Sequence, residues 1–212
     1  MTTNNFPQIT DETVIVFDKD GVLFHSEDFK FEYFIDLFKE YGHHEEIRAY
    51  LVSSGGTPRK VRFQHIFHQI MKQPDKEEVI EKMMRESALY IDREIINKPF
   101  VEGAREFIKK YSDHKLFVCS GSTQEEVNKH LKARKLSEYF LTAYGGVTDK
   151  SVVLKEIKQK YGRDILFFGD TMVDYRASLQ AEVTFVGFRT SLYHDPFKEL
   201  PICKVSNFLA LI

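Results

Sequence analysis

Four places along this 212-residue chain carry side chains able to act together chemically. The first is Asp18-Lys19-Asp20-Gly21, two carboxylates separated by one residue with a glycine behind them. The second is Ser120-Gly121, the third Lys150, and the fourth Gly169-Asp170-Thr171-Met172-Val173-Asp174. Asp18 and Asp20 point to opposite sides of an extended backbone unless the chain bends, and Gly21 has the conformational freedom to let it bend. Two carboxylates so placed are free to do different jobs.

The elements that must hold these residues can be read around them. Residues 13–17 are a β-branched and aromatic run that reads as a buried strand and stops abruptly at Asp18. Residues 115–119 are a second apolar run ending at Ser120, and Thr123 with Glu126 fits a capping box opening the next helix. A third strand is expected over 139–144 and a helix over 150–161, with Lys150 at its start. Residues 165–168 form a buried strand stopping at Gly169-Asp170, and strand patterns at 183–188 and 202–205 close the chain. Strands alternating with helices at this spacing predict an α/β fold, a Rossmann-like doubly wound parallel sheet. In such sheets ligands bind at the carboxyl ends of the strands, which is where all the polar residues fall.

The block from 27 to 97 breaks this rhythm. Phe31, Phe34, Ile35 and Phe38 lie at helical spacing over 27–41, and a second helical pattern covers 45–52. After Ser53-Ser54-Gly55-Gly56, Thr57 is expected as N-cap and Pro58 as first residue of a helix carrying Val61, Phe63, Ile66, Phe67 and Ile70. Another helix is expected after Pro74, with Val79, Ile80, Met83, Met84 and Ala88 facing inward. The predicted division is therefore an α/β core of residues 1–26 and 98–212 with an all-α insertion over 27–97.

Composition narrows the function classes. The chain is 42% apolar and 29% charged with a formal net charge of −2, and its lysines and arginines are scattered, so no nucleic-acid partner is indicated. No stretch approaches the roughly 20 apolar residues of a membrane span, and residues 1–10 lack a signal peptide's pattern. A cytoplasmic location with no membrane partner is expected. Cys119 and Cys203 each lie in an apolar run, which favours reduced thiols over a disulfide or metal site. Nothing in the sequence sets the oligomeric state.

Phe17-Asp18-Lys19-Asp20-Gly21-Val22-Leu23 resembles the first motif, Asp-x-Asp-Gly-Thr/Val-Leu, of the haloacid dehalogenase superfamily of phosphatases and phosphotransferases. The resemblance implies that Asp18 attacks phosphorus to form an aspartyl-phosphate and that Asp20 protonates the leaving oxygen and then activates water. An acid at the second position favours phosphoryl transfer over dehalogenation, because a departing alkoxide needs a proton and a halide does not. Ser120 with Gly121 resembles the family's second motif, which binds the phosphoryl oxygens. Lys150 resembles the third, a cation on the phosphate and the nucleophile. Here the chain has Lys150-Ser151-Val152-Val153 where relatives have Lys-Pro-x-Pro, and Lys155 is the alternative. Gly169 to Asp174 resembles the fourth motif, whose acids hold magnesium.

Clustered carboxylates repel a phosphate dianion, so a divalent cation with hard oxygen ligands must lie between them. The resemblance implies magnesium on Asp18, Asp170 and the main-chain carbonyl of Asp20, with Asp174 in contact or one layer out. Asp20 must carry a proton when the leaving group departs, so its surroundings are expected to raise its pKa above the usual value near 4. The insertion resembles the small helical cap of the phosphoglycolate phosphatase and β-phosphoglucomutase branch. Its Gly56-Thr57-Pro58-Arg59 resembles a loop that relatives project into the site, where Arg59, Lys60 and Arg62 can meet an anionic substrate. His25 stands where many relatives have Asp, and reads as a linker residue. The expected activity is magnesium-dependent hydrolysis of a small phosphorylated metabolite, a sugar phosphate or phosphoglycolate-like acid. A phosphomutase and, less favoured, a receiver-type signalling module are the alternatives.

Overall fold

The computed structural model describes residues 6–193 and 195–212. Residues 1–5, at the start of the expected core, lie outside the described residues. Six strands, β1 (Val14–Phe17), β2 (Leu116–Cys119), β3 (Thr142–Tyr144), β4 (Ile165–Gly169), β5 (Thr184–Phe188) and β6 (Cys203–Val205), form one sheet in the order β3-β2-β1-β4-β5-β6. Every neighbouring pair is parallel. Parallel strands need long crossovers, and the helices that make them cover both faces. This is the α/β fold read from the sequence.

Alternation along the strands divides the core. Ile15, Phe17, Leu116, Val118, Leu166 and Phe168 face α5 (Ala104–Lys110) and α6 (Gln124–Ala133). Their neighbours Val14, Val16, Phe117 and Phe167 face α7 (Lys150–Tyr161) and α8 (Met172–Ala181). Phe17 is fully buried and touches the rings of Phe107, Phe140, Phe168 and Phe208 at centroid distances of 5.4 to 6.1 Å. Burying one such ring is worth about 1.5–3 kcal/mol, so the strand that ends at Asp18 is rigidly seated. The expected third strand is shorter than 139–144, because Ser137–Tyr139 tightens into a 3₁₀ turn and pairing with β2 begins only at Thr142.

The chain leaves this sheet after β1 and returns before α5. Between those points lie α1 (Glu27–Leu37), α2 (His44–Ser53), α3 (Arg59–His65) and α4 (Glu77–Ile95), and no strand among the described residues. They have a core of their own, built from residues such as Phe34, Phe38, Phe63, Phe67 and Ile80. Thr57 is not the N-cap expected of it. Its amide is turned to the Ser54 carbonyl at 3.1 Å, and Pro58, extended at φ −53° and ψ 138°, takes the cap position, so α3 starts at Arg59. Val61 is exposed on α3. The two connecting strands run beside each other, His25 N–H donating to the Pro99 carbonyl and Val101 N–H to that of Leu23, each at 3.1 Å. No helix among the described residues is long and apolar enough to cross a membrane, and Cys119 and Cys203 are free thiols.

Candidate active site

The order of the strands reverses between β1 and β4, and the loops leaving those two strands meet there. Asp18 continues the ladder by donating its N–H to the Phe168 carbonyl at 2.8 Å. Gly21 then turns the chain at φ +73°, with its N–H on the Phe24 carbonyl at 2.9 Å. A Cβ on Gly21 would lie 2.0 Å from Asp170 Oδ2, so glycine is required for approach as well as for the turn. Thr171 and Asp174 form a capping box at the start of α8, which the sequence reading did not identify. The box occupies Asp174 Oδ2, at 3.0 Å from the Thr171 N–H, and leaves Oδ1 free to point elsewhere.

Asp18, Asp170 and Asp174 each bring a carboxylate oxygen to within 4.8 Å of the others, and all three are buried. Lys150, almost wholly buried at the start of α7, donates to Asp174 Oδ1 at 2.6 Å and pairs with Asp18 Oδ2 at 3.0 Å. Lys155 lies on the exposed side of the same helix, so of the two lysines it is Lys150 that reaches the acids. One ammonium against three carboxylates leaves an excess of negative charge out of water. Burial first, then the charges of Asp174 and Asp20, raise Asp18 to about 7 despite Lys150. Burial, with Glu27, Asp18 and Asp174, drives Asp170 well above the carboxylate range. Asp170 Oδ1 is buried with no hydrogen-bond partner. An all-oxygen set with an orphaned lone pair and surplus negative charge fits a hard divalent cation such as magnesium.

That fit has a pH signature. With Asp18 raised from 3.8 to about 7, the ion-free folded protein holds a proton there that the unfolded chain has lost, so its contribution to stability falls as pH rises through that window. A cation binds the ionised form and reverses the trend. Magnesium is therefore expected to raise the melting temperature more at about pH 8 than at about pH 5, read by thermal-shift titration. An equal shift at both values, or none, would deny the cluster its cation.

Asp20 departs from expectation. Burial works to raise its pKa, but the charges of Lys19 and Lys30, with hydrogen bonds from Lys30 and Ser26, outweigh burial and hold it well below the usual range. Lys30 Nζ lies 2.5 Å from Asp20 Oδ2, Ser26 Oγ 2.5 Å from Oδ1, and Ser122 Oγ 3.1 Å from Oδ2. The expected upward shift is thus reversed, because a lysine from α1 and another next in sequence both turn inward onto one carboxylate.

Between these acids and the helical block lies a cavity of about 170 Å³. Asp18, Asp20, Ser120, Gly121, Thr57 and Arg59 are all on its wall. Ser120 is buried beyond the end of β2, its Oγ accepting the Ser122 N–H at 3.2 Å. Gly121 packs so tightly on the Gly56 carbonyl that a Cβ would come within 3.0 Å of it. Arg59 is already engaged, donating to Glu126 Oε1 on α6 at 2.6 Å and to Ser87 at 3.3 Å. Lys60 pairs outward with Glu81 at 2.6 Å, whereas Arg62 is buried and donates to the Leu51 carbonyl at 3.2 Å. His25 stays in the linker, 3.3 Å from Glu102. The sequence reading did not single out Lys19, Lys30, Ser26 and Ser122; the nearest signal was a lysine set among the aromatic residues of an otherwise amphipathic α1.

The fold and the geometry describe a doubly wound α/β protein with an acidic, cation-ready site at its switch point and a helical block above it. A model of the haloacid dehalogenase-like hydrolase family matches residues 15–188, and the chain belongs to that family. Among solved structures it is similar to a "predicted phosphoglycolate phosphatase" from Haemophilus somnus, with 17% identity, a TM-score of 0.72, and 96% of this chain and 98% of that one covered. It is also similar to a β-phosphoglucomutase from Clostridium difficile, with 16% identity, a TM-score of 0.72, and 94% and 92% covered. A haloacid dehalogenase-like family hydrolase from Streptococcus pneumoniae gives 16% identity, a TM-score of 0.69, and 94% and 96% covered. Identities this low speak for the shared fold, Rossmann-like core and helical cap alone. A comparison with curated protein sequences finds no match.

Proposed function

We propose that the protein is a magnesium-dependent phosphatase that hydrolyses a small phosphorylated metabolite through an aspartyl-phosphate. The observation that carries this reading is the convergence of Asp18, Asp170 and Asp174 within 4.8 Å, with Lys150 between Asp18 and Asp174, and with Asp18 also on the wall of the cavity. In this reading residues 1–26 and 98–212 are the catalytic core and 27–97 the cap that closes the cavity and selects the ester.

An Asp18 carboxylate oxygen attacks phosphorus, and the bond from phosphorus to the ester oxygen breaks with its electron pair going to that oxygen. Asp20 supplies the proton the alkoxide needs. Because Lys19 and Lys30 hold it ionised beforehand, it must gain that proton as the substrate enters, and the charge of an adjacent phosphate dianion raises its pKa in the required direction. Asp20, ionised again, then takes a proton from water as the water attacks phosphorus and frees Asp18. Ser120, the main chain at Gly121, and Lys150 hold the phosphoryl oxygens. Magnesium on Asp18, Asp170 and the Asp20 carbonyl, with Asp174 beside them, would offset charge on the phosphate and nucleophile.

The likeness to the β-phosphoglucomutase supports a second reading, in which the phosphoryl group returns to a sugar instead of passing to water. The two structures named for these activities have the same TM-score, so the fold does not choose between them. A panel of sugar phosphates, phosphoglycolate and p-nitrophenyl phosphate with magnesium tests both. Free phosphate is expected; isomer conversion of a hexose 1-phosphate without release would favour the mutase, and no turnover of any ester would overturn both. The receiver-type reading has no support from a hydrolase family model that spans the helical insertion.

A further inference from the structure

In the transfer described above Lys19 serves only to hold Asp20 ionised beforehand. Its side chain is nevertheless fully buried, a position an ammonium occupies only with partners. Nζ reaches the two oxygens of Asp20 at 3.2 and 3.1 Å and Nδ1 of His130, on α6, at 3.1 Å. An ammonium has only hydrogens to give, so His130 Nδ1 is the acceptor and the ring proton resides on Nε2. Nε2 lies 2.8 Å from Asp92 Oδ1. Asp92 belongs to α4, in the helical block, and its other oxygen takes a 2.5 Å bond from Lys129.

Four side chains thus run without a gap from the block, across a core helix, to Asp20. Each link fixes the next: Asp92 sets the tautomer and plane of the ring, the ring sets the direction of the ammonium, and the ammonium bears on the carboxylate. Burial and the neighbouring Lys19 push His130 down to about 4, so the neutral ring that this arrangement requires persists at neutral pH. The carbonyls just past the end of α4 are tethered separately, Arg134 donating to those of Ile96 and Lys98 at 2.8 and 2.6 Å. Asp92 is where a side chain of that helix hydrogen-bonds the buried His130.

We propose that Asp92, His130 and Lys19 are positioning residues that couple the seating of the helical block to the placement of the Asp20 carboxylate. The inference rests on the acid/base role assigned to Asp20. When α4 is seated, the ring is locked and Asp20 is held on one side by Lys19 and on the others by Ser26, Lys30 and Ser122. When α4 withdraws, His130 loses its acceptor and Lys19 its fixed second partner, and the carboxylate is no longer braced for proton transfer.

The test compares Asp92→Ala with Asp92→Asn, which keeps an oxygen for the Nε2 proton, on glycerol 2-phosphate and p-nitrophenyl phosphate. kcat/KM covers the steps through leaving-group departure, where an alkoxide depends on the acid and p-nitrophenolate depends on it far less. Asp92→Ala is expected to lower kcat/KM by about 10–100-fold on the alkyl ester and by less than about 3-fold on the aryl ester, while Asp92→Asn stays near wild type on both. Equal losses on the two esters, or none, would overturn the coupling. Proton NMR provides a reading independent of turnover: a slowly exchanging imidazole N–H resonance is expected in the wild type and Asp92→Asn and absent from Asp92→Ala. Its absence from the wild type, or its survival in Asp92→Ala, would overturn the linkage even if no phosphate ester were a substrate. Failure of the wild type on every ester with the resonance behaving as expected would instead sink the catalytic reading.

Discussion

Asp18→Asn is expected to lower turnover of any phosphate ester by about 10³-fold or more, because the amide cannot form the acyl-phosphate. The substitution is nearly isosteric, and its effect on the fold should be small. Asp18 is held at about 7 by burial and by neighbouring acids, so a neutral side chain there relieves repulsion in the ion-free protein while giving up a 3.0 Å pairing with Lys150. Lys150 keeps Asp174 at 2.6 Å. The melting temperature without magnesium should therefore be close to that of the wild type, and the stabilisation by magnesium should shrink, since one of its oxygens is gone. Turnover within about tenfold of wild type, measured by phosphate release under saturating ester, would mean that another group attacks phosphorus.

What could be read in the sequence was what is local. A run of Val14, Ile15, Val16 and Phe17 has few alternatives to a buried strand, and the capping box of Thr123 and Glu126 is a four-residue pattern the structure reproduces. The start of α7 followed from its pattern as well, which is why Lys150 lies where the reading placed it. Thr57 was misjudged by one position because a turn back to Ser54 claimed its amide, a competition that helix-start rules do not weigh.

The state of Asp20 was not legible, for a different reason. Its protonation was inferred from the task it would perform, whereas its pKa depends on which charges the fold brings to it. Lys30 reaches it from the helical block and Ser122 from beyond β2, 102 residues away in the chain. Lys19 was adjacent in sequence and could still have pointed to solvent. Only the position of His130, 111 residues on, explains why it turns inward. Arg59 similarly looked available to a substrate until Glu126, on a core helix, was found to hold it.

Lys150→Met is the variant in which stability and catalysis should fail together. The methylenes of the lysine are replaced nearly in kind, but the ammonium that separates Asp18 from Asp174 is lost and two buried carboxylates face each other. Breaking a buried ion pair from one side costs about 3–5 kcal/mol when the remaining charge has no escape. Here it has one. Burial opposes the charge on Lys150, yet Asp174 and Asp18 outweigh burial and hold its pKa well above the usual lysine value, so in the wild type the lysine's contribution is constant at and below neutral pH. In the variant Asp18, already raised to about 7, rises further and takes up a proton as the solution is acidified. The melting-temperature deficit should therefore be large at about pH 8 and smaller at about pH 5, and magnesium should recover part of it. With the role proposed for Lys150 on the phosphoryl oxygens, turnover should fall by about 10²–10³-fold at any pH. Lys155→Met, on the exposed side of the same helix, should change neither quantity. If the two variants behave alike, Lys150 is neither a counter-ion nor a phosphate ligand, and the cation on the transferring group must come from Lys30, a buried lysine on the cavity wall.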